Sequence, residues 1–220
     1  MLRIALIHAL AHSPPAINAA MNEMWPAAER MNLLDDSLSA DLARSGQIDE
    51  AMTARFIALA DYAVGTGAQA ILFTCSAFGP CIDAVKRRHA TLPVLKPNEA
   101  MIDEAVALVG ADGCVGLVAS FAPTLTSMTA EFPPGTRLRT RLAEGAMAAL
   151  DRADGPAHDA AVVAAAHDLV QEGCTVIALA QFSMARAQAP VHDALGLPVL
   201  STPATAIRRL QALLAHPAAR

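Results

Sequence analysis

Residues 67–78, GAQAILFTCSAF, decide the fold of this chain, because residues 173–184, GCTVIALAQFSM, repeat their pattern. Each stretch runs from a glycine through a short apolar strand to a polar strand end. Cys75 closes the strand of the first copy, and Gln181 stands at the corresponding position of the second. Two stretches of one pattern indicate a supersecondary unit that occurs twice.

The repeat extends beyond these two stretches. Other segments match in the same order and at nearly the same offset along the chain, which supports two copies of one unit. The matched pairs are residues 92–95 with residues 197–200 (LPVL in both), Ile4 with Val115, and residues 33–35 with residues 138–142.

Short apolar runs alternate with longer amphipathic stretches. Strands are predicted at residues 3–8, 70–74, 115–119 and 176–180, and helices include residues 49–64, 99–108, 157–172 and 205–214. The strands lack polar alternation, which is typical of parallel strands buried on both faces. The pattern predicts an α/β fold with two pseudo-symmetric Rossmann-like lobes, each built on a parallel sheet, and a cleft between them.

The repeat also predicts the domain boundaries. The first lobe spans residues 1–96 plus 201–220 and carries Cys75, and the second spans residues 97–200 and carries Gln181. In open parallel sheets, ligands bind beyond the carboxyl ends of the strands. We therefore expect the two strand ends to contact one ligand from opposite sides.

Composition excludes several classes of partner. The chain has 220 residues, 54% of them hydrophobic, and a net charge of −5, so it does not resemble a nucleic-acid-binding protein. No apolar run is long enough to span a membrane, and the first residues, MLRIALIHAL, read as a strand rather than a signal peptide. The four cysteines have no C-x-x-C spacing, which favours reduced thiols and a cytoplasmic protein.

Cys75 is the first candidate for chemistry. Gly79-Pro80 is predicted to open the next helix, and the dipole of that helix would lower the pKa of the thiol. The backbone N–H groups of Ser76, Ala77 and Phe78 would then bind a carboxylate or an enediolate. The alternative is that Cys75 is a small buried hydrophobic residue.

The other cysteines and the histidines are weaker candidates. Cys81 is expected to pack in the core or to act as a redox partner of Cys75, and Cys114 and Cys174 are expected to be structural. His8 and His12 follow the first strand, where either could carry a proton or bind substrate, or be a solvated or capping histidine. No cluster has metal-ligand spacing, and no glycine-rich loop has a phosphate-binding pattern.

Polar residues follow the strands of the second copy as well. Ser120 and Thr124 could hydrogen-bond a carboxylate or cap the next helix. Gln181, with Ser183 beside it, would hold the same substrate group, and the ring of Phe182 could line an apolar pocket or pack in the core.

The chain resembles the aspartate/glutamate racemase superfamily, which includes hydantoin racemase, maleate isomerase and arylmalonate decarboxylase. The resemblance rests on the repeat, both polar strand ends, and the segments NLLD at residues 32–35 and PNEA at residues 97–100. It implies two Rossmann-like lobes, no metal or organic cofactor, proton chemistry beside a carboxylate, and a homo-oligomer. It also implies two catalytic cysteines, of which Cys75 matches the first and Gln181 replaces the second.

The missing second cysteine narrows the predicted function, because the amide of Gln181 cannot act as an acid or base at neutral pH. The leading hypothesis is an isomerase, lyase or decarboxylase that acts on a small carboxylate with the single thiol of Cys75. One alternative is a racemase or epimerase in which His8 or His12 replaces the second thiol. The other is a non-catalytic small-molecule binding protein.

Overall fold

A computed structural model describes residues 2–110 and 113–215. The chain divides into two compact units, of which unit 1 comprises Met1–Pro97 with Pro203–Arg220 and unit 2 comprises Asn98–Thr202. Within the described ranges, no helix is long and apolar enough to cross a membrane.

Unit 1 is built on a parallel sheet of four strands in the order β2-β1-β3-β4. Helices connect the strands, and a short 3-10 helix, Ser76–Phe78, lies between β3 and α4. The elements are β1 Arg3–His8, α1 Ser13–Met24, β2 Glu29–Leu34, α2 Ser37–Ser45, α3 Glu50–Gly65, β3 Ala70–Phe73, α4 Gly79–Arg88 and β4 Val94–Leu95.

Unit 2 repeats this arrangement with a four-stranded parallel sheet in the order β6-β5-β7-β8. A 3-10 helix, Phe182–Ala187, again follows the third strand of the unit. The elements are α5 Glu99–Val109, β5 Val115–Ala119, α6 Ala122–Thr129, β6 Leu138–Leu142, α7 Ala146–Asp151, α8 Gly155–Gln171, β7 Val176–Leu179, α9 Gln188–Leu195 and β8 Val199–Ser201.

The last helix, α10 Thr202–Ala215, begins at the end of unit 2 and continues in unit 1. Its buried residues include Ala206, Ile207 and Leu210, which recur at helical spacing. Gln211 donates a hydrogen bond from Nε2 to the carbonyl oxygen of Met24 at 3.2 Å. This helix therefore completes unit 1 from the far end of the chain.

The predicted α/β class and the two similar parallel sheets are confirmed. The strands β1, β3, β5 and β7 are apolar and buried along almost their whole length, as expected for parallel strands with helices on both faces. The segments matched as residues 33–35 and 138–142 overlap the two edge strands β2 and β6, which hold equivalent places in their sheets. Gly79 and Pro80 open α4 as predicted, whereas the 3-10 helix before it was not foreseen.

Aromatic packing supports the strand end in unit 1. The ring of Phe56, on α3, lies 5.4 Å from the ring of Phe73 at the end of β3 and 4.9 Å from the ring of Phe78. All three rings are buried. Phe78 is thus part of the core of unit 1, and the backbone between Phe73 and Phe78, which includes Cys75, is anchored at both ends.

Candidate active site

Polar side chains collect at the carboxyl ends of the central strands in both units. In unit 1, His8 ends β1 and Cys75 follows β3. In unit 2, Ser120 follows β5 and Gln181 follows β7. In each unit these strands are neighbours in a parallel sheet, so their carboxyl ends lie at one edge.

Cys75 has extended backbone and directly precedes the 3-10 helix Ser76–Phe78. Its side chain is almost buried, with 8% of the residue exposed. Burial raises the pKa of the thiol to about 11, although hydrogen bonds from the backbone of Ala77 and the side chain of Ser39 act in the opposite direction. The prediction of a lowered pKa was therefore wrong, because desolvation of the thiolate outweighs the local dipole.

The predicted anion nest beside Cys75 is buried as well. Ser76 and Ala77 are both inaccessible in the 3-10 helix. The hydrogen bond between the Ala77 backbone and the Cys75 sulfur commits one of the expected N–H donors to the thiol in this state. The role of Ser76 and Ala77 as substrate ligands stays a prediction.

Ser39 is a neighbour of Cys75 that the sequence pattern did not indicate. It lies buried on α2, and its hydroxyl donates a hydrogen bond to the carbonyl oxygen of Ala9. A serine hydroxyl has one hydrogen, so Oγ accepts from the Cys75 S–H group while it donates to Ala9. The Ser39 hydroxyl must rotate away from Ala9 before it can donate a hydrogen bond to the Cys75 thiolate.

His8 is buried, and both of its ring nitrogens have partners. Nε2 lies 2.9 Å from Oδ1 of Asn32, and Nδ1 lies 2.7 Å from Oγ1 of Thr74. The Asn32 oxygen can only accept, so the hydrogen-bond network assigns the ring hydrogen to Nε2, and Nδ1 accepts from Thr74. Burial lowers the pKa of His8, and the hydrogen bond with Asn32 opposes this shift. His8 is therefore a neutral imidazole that joins the ends of β1, β2 and β3.

The two remaining candidates in unit 1 are His12 and Cys81, which lie at the start of α1 and within α4. His12 is half-buried at the N-cap position of α1. Cys81 is buried in α4, and its sulfur lies 3.6 Å from Oγ1 of Thr53. Burial also raises the pKa of the Cys81 thiol. Both cysteines, Cys75 and Cys81, are free thiols.

Gln181 is held in one orientation in unit 2. Its Oε1 accepts two hydrogen bonds from Ser120, one from the backbone N–H at 2.6 Å and one from the hydroxyl at 3.0 Å. The side chain is 94% buried, since 6% of the residue is exposed. With both acceptor positions of Oε1 in use, the carboxamide can offer a further ligand only the N–H donors of Nε2.

Two buried hydroxyls follow the same two strands of unit 2, β5 and β7. Thr124 is in the first turn of α6, after β5, and Ser183 is in the 3-10 helix after β7. Neither Oγ1 of Thr124 nor Oγ of Ser183 has a hydrogen-bond partner within the described part of the chain. Buried hydroxyls are rarely left without a partner, so this arrangement is typical of a ligand or water site. Phe182, between Gln181 and Ser183, is fully buried.

An ion pair anchors the 3-10 helix that follows Gln181. Arg186 donates from Nε to Oδ1 of Asp159 at 2.8 Å and from Nη2 to Oδ2 at 3.0 Å. Nδ1 of the buried His158 lies 2.8 Å from the same Oδ1. Although burial acts to raise the pKa of Asp159, the bonds from Arg186 and His158 lower it. The amino-terminal part of α8 thus fixes the segment that carries Ser183.

These features define the class of protein: an α/β fold in which one Rossmann-like unit occurs twice and presents polar side chains at its strand ends. Residues 11–210 match the model of the Asp/Glu/hydantoin racemase family. The chain belongs to this family, whose members include racemases, and the resemblance inferred from the repeat is confirmed.

Solved structures share the fold at low sequence identity. A glutamate racemase isoform from Bacillus anthracis superposes with a TM-score of 0.78 at 12% identity, over 98% of this chain and 82% of the other. Allantoin racemase from Klebsiella pneumoniae has a TM-score of 0.75 at 17% identity, over 100% and 90%. A glycine-to-cysteine mutant of arylmalonate decarboxylase has a TM-score of 0.63 at 16% identity, over 98% and 94%. No curated protein sequence matches the chain.

Proposed function

We propose that this chain is a cofactor-independent enzyme that acts on a small carboxylate, with Cys75 as its single acid–base thiol. The observation that carries the proposal is the contrast between the two repeats. The strand end of unit 1 holds a thiol, whereas the strand end of unit 2 holds an amide whose oxygen is already bonded to Ser120. One strand end can transfer a proton and the other can only bind.

The protonation state of Cys75 favours proton donation. A thiol with a pKa of about 11 carries its hydrogen at neutral pH, so it is a poor nucleophile but a ready acid for a carbanion. In a decarboxylation, the carbon–carbon bond to the carboxylate breaks, CO₂ leaves, and the bonding electrons stay on the substrate as an enediolate. Cys75 then protonates the carbon from one face, and its thiolate recovers a proton from water.

The proposed role of Gln181 is to donate hydrogen bonds to the substrate. The sequence repeat is the basis for placing both strand ends on one substrate. In that arrangement the N–H donors of Gln181 and the hydroxyls of Thr124 and Ser183 would bind the carboxylate or the developing enediolate. Donors in fixed positions stabilise such a charge without reorganisation during the reaction.

The surroundings of His8 do not favour it as a second acid–base group. Both ring nitrogens are hydrogen-bonded within unit 1, to Asn32 and Thr74, and burial lowers the pKa of the ring. A proton transfer to substrate would require at least one of these bonds to break. A role in aligning the strand ends of unit 1 fits these contacts better.

A second candidate function is non-catalytic binding of a small carboxylate. The raised pKa of Cys75 favours this candidate too, because a buried, unreactive thiol is also what a retained core cysteine would show. The unpartnered hydroxyls of Thr124 and Ser183 would serve a bound ligand equally well. Turnover of a carboxylate would distinguish the enzyme from the binding protein.

The test is a screen of small carboxylates by proton NMR in D₂O. Substituted malonates, maleate, α-amino acids and hydantoins report decarboxylation, isomerisation and hydrogen exchange in one format. Cys75→Ala is compared with Cys81→Ala, because both remove a buried thiol of the same unit but only Cys75 lies at the strand end.

We expect turnover of at least one carboxylate by the natural chain and by Cys81→Ala, and its loss in Cys75→Ala. Full activity of Cys75→Ala would contradict the proposed mechanism. Saturable ligand binding without turnover, unchanged in Cys75→Ala, would establish the binding protein instead.

A further inference from the structure

Unit 2 contains a second pair of thiols, remote from its strand ends. Cys114 precedes β5 and Cys174 precedes β7, and their sulfur atoms lie 3.3 Å apart. Both residues are buried, with exposures of 5% and 2%, and both are free thiols. The proposed function uses neither residue.

The strand register brings the two backbones to the separation that a disulfide requires. Val115 pairs with Val176 in the parallel ladder, and the N–H of Thr175 donates to the carbonyl oxygen of Cys114 at 2.9 Å. Cys174 is thus one residue out of register with Cys114 on the neighbouring strand. A strand spacing of about 4.8 Å and a rise of about 3.3 Å put the two Cα atoms roughly 6 Å apart. Disulfides have Cα separations of about 4.4–6.8 Å.

We propose that Cys114 and Cys174 form a site of reversible oxidative modification, in which a hydroperoxide converts the two thiols into an intramolecular disulfide. The sulfur of one cysteine attacks the peroxide oxygen, which leaves a sulfenic acid and releases one water. The second sulfur then displaces hydroxide from the sulfenic acid, and a second water forms. Two thiols and one hydrogen peroxide thus give one disulfide and two waters.

Burial controls the rate of this reaction. It raises the pKa of Cys174 to about 12, and the neighbouring Cys114 thiol acts in the same direction. The thiolate is the reactive form, so oxidation at neutral pH is slow and accelerates as the pH rises. Such a pair responds to sustained peroxide rather than to brief exposure.

The crosslink would join the amino ends of two neighbouring strands, at the edge of the sheet opposite Ser120 and Gln181. It would close a long loop that contains β5, α6, β6, α7 and α8. Closing a loop of this length restricts the unfolded chain and raises the melting temperature, by an amount on the order of 10 °C. Oxidation would therefore stabilise unit 2 without contact with the proposed substrate groups.

The experiment uses the full chain with Cys75→Ser and Cys81→Ser, so that Cys114 and Cys174 are the remaining thiols. Hydrogen peroxide is applied at pH 7 and pH 9. Peptide mass spectrometry locates the modification on Cys114 and Cys174, apart from oxidation of the nine methionines, and the thiols titratable in guanidinium are measured. We expect the linked peptides of Cys114 and Cys174 to lose two hydrogen atoms, with loss of both titratable thiols, a higher melting temperature, and reversal of the crosslink by dithiothreitol. The reaction is expected to be faster at pH 9.

Cys174→Ala and, separately, Cys114→Ala in the same background are the controls. Each should gain oxygen atoms instead of losing hydrogens, with no rise in melting temperature. The proposal is overturned if Cys114 or Cys174 of the parent gains oxygen as the remaining cysteine of each control does, or if both thiols stay titratable after prolonged treatment at pH 9. Neither outcome depends on the activity of Cys75, so this test stands apart from the proposed function.

Discussion

At the scale of single residues, the environment of Cys75 decides what its thiol can do. The position before a helix would lower the pKa, but burial among Ser39, Ala77 and the core of unit 1 raises it to about 11. The surroundings of Gln181 likewise limit what its side chain can do, because two hydrogen bonds from Ser120 orient the amide. Residues that are distant in sequence, Ser39 and Ser120, therefore contribute to the pKa of Cys75 and to the orientation of Gln181.

Alkylation of Cys75 by iodoacetamide should be slow at neutral pH and should increase up to about pH 11, because only the thiolate reacts. The rate is measured by mass mapping of the peptide that contains Cys75. An inflection near 8.5, the ordinary thiol value, would contradict the effect of burial.

Ser39→Ala should raise the pKa of Cys75 further and slow its alkylation at a given pH. The hydroxyl stabilises a thiolate more strongly than it stabilises the neutral thiol, since hydrogen bonds to charged groups are the stronger ones. Ser39→Thr keeps the hydroxyl and serves as the control. A pH profile of Ser39→Ala identical to that of the natural chain would show that Ser39 only packs against Cys75.

Gln181→Cys should add a second acid–base group at the equivalent strand end. On the proposed function, the variant would exchange the α-hydrogen of a chiral product with solvent and lose stereochemical purity, because each face of the carbon would then meet a thiol. Chiral chromatography and deuterium incorporation measure this gain. Gln181→Ser, which lacks an acid–base group, is the matched control, and equal exchange in both variants would contradict the role assigned to position 181.

At the scale of elements, short 3-10 helices after β3 and β7 position the residues beside Cys75 and Gln181. Each is fixed from a neighbouring helix by a different interaction. Phe56 on α3 packs against the ring of Phe78 in unit 1, whereas Asp159 on α8 pairs with Arg186 in unit 2.

Phe56→Ala should destabilise the protein by about 3–5 kcal/mol, because it leaves a cavity between the rings of Phe73 and Phe78. Phe56→Leu, which refills most of that volume, should cost less. Urea denaturation measures the free energy of unfolding for both variants. A loss below about 1 kcal/mol for the alanine variant would show that the aromatic cluster does not support the strand end.

Arg186→Ala should change ligand affinity more than stability. The pair with Asp159 is partly exposed, so its loss should cost less than about 1 kcal/mol of unfolding free energy. On the proposed function, the freed 3-10 helix would nevertheless misplace Ser183, and KM for the carboxylate substrate should rise several-fold with a smaller change in kcat.

Gly155→Ala tests the same anchor without removal of a charge, since a Cβ at Gly155 would lie 2.2 Å from Nη2 of Arg186. The displaced guanidinium should reproduce a weaker form of the Arg186→Ala phenotype in KM. Arg152→Ala removes an exposed arginine of the same unit and should leave KM unchanged. A rise in KM for Arg152→Ala equal to that for Arg186→Ala would point to general electrostatics instead.

At the scale of the whole molecule, the internal repeat explains the fold and makes the difference between the two strand ends visible. The two sheets have the same strand order, and the edge strands β2 and β6 and the central strands correspond one to one. Their strand ends have diverged, so that one carries a thiol and the other an amide. Association of the chain into a homo-oligomer remains a prediction from the family resemblance, and light scattering would determine it.

Unit 2 is one continuous segment of the chain, residues 98–202. We therefore predict that this segment folds without the rest of the chain. This segment contains a complete sheet and buried hydrophobic clusters around it, such as Val118 with Leu169 and Leu117 with Met128. Residues 1–97 lack α10 and should be less stable. Circular dichroism and cooperative urea unfolding of each fragment measure this, and a folded 1–97 with an unfolded 98–202 would contradict it.

Much of the fold could be predicted because each central strand is a continuous apolar run that occurs in both copies. The predicted bounds match β1 and β5, whereas β3 and β7 each end one residue earlier than predicted, before Thr74 and Ala180. The 3-10 helices were missed because such short turns have no periodicity of their own. The partners Asn32, Ser39 and Thr74 were missed because they come from separate elements.

The sequence by itself determined the α/β class, the internal repeat, the family, and the presence of Cys75 and Gln181 at equivalent positions of the two copies, because apolar periodicity and repetition are local properties of the chain. Only the tertiary structure decided that Cys75 is a protonated thiol, that Gln181 is oriented as a hydrogen-bond donor, and that Cys114 lies beside Cys174. The physical reason is that desolvation, hydrogen bonding and strand order arise from contacts between segments that are far apart in sequence. In the sheet of unit 2, β5 lies between β6 and β7. Cys114, before β5, therefore lies beside Cys174, before β7, although β6 comes between these two strands in the sequence.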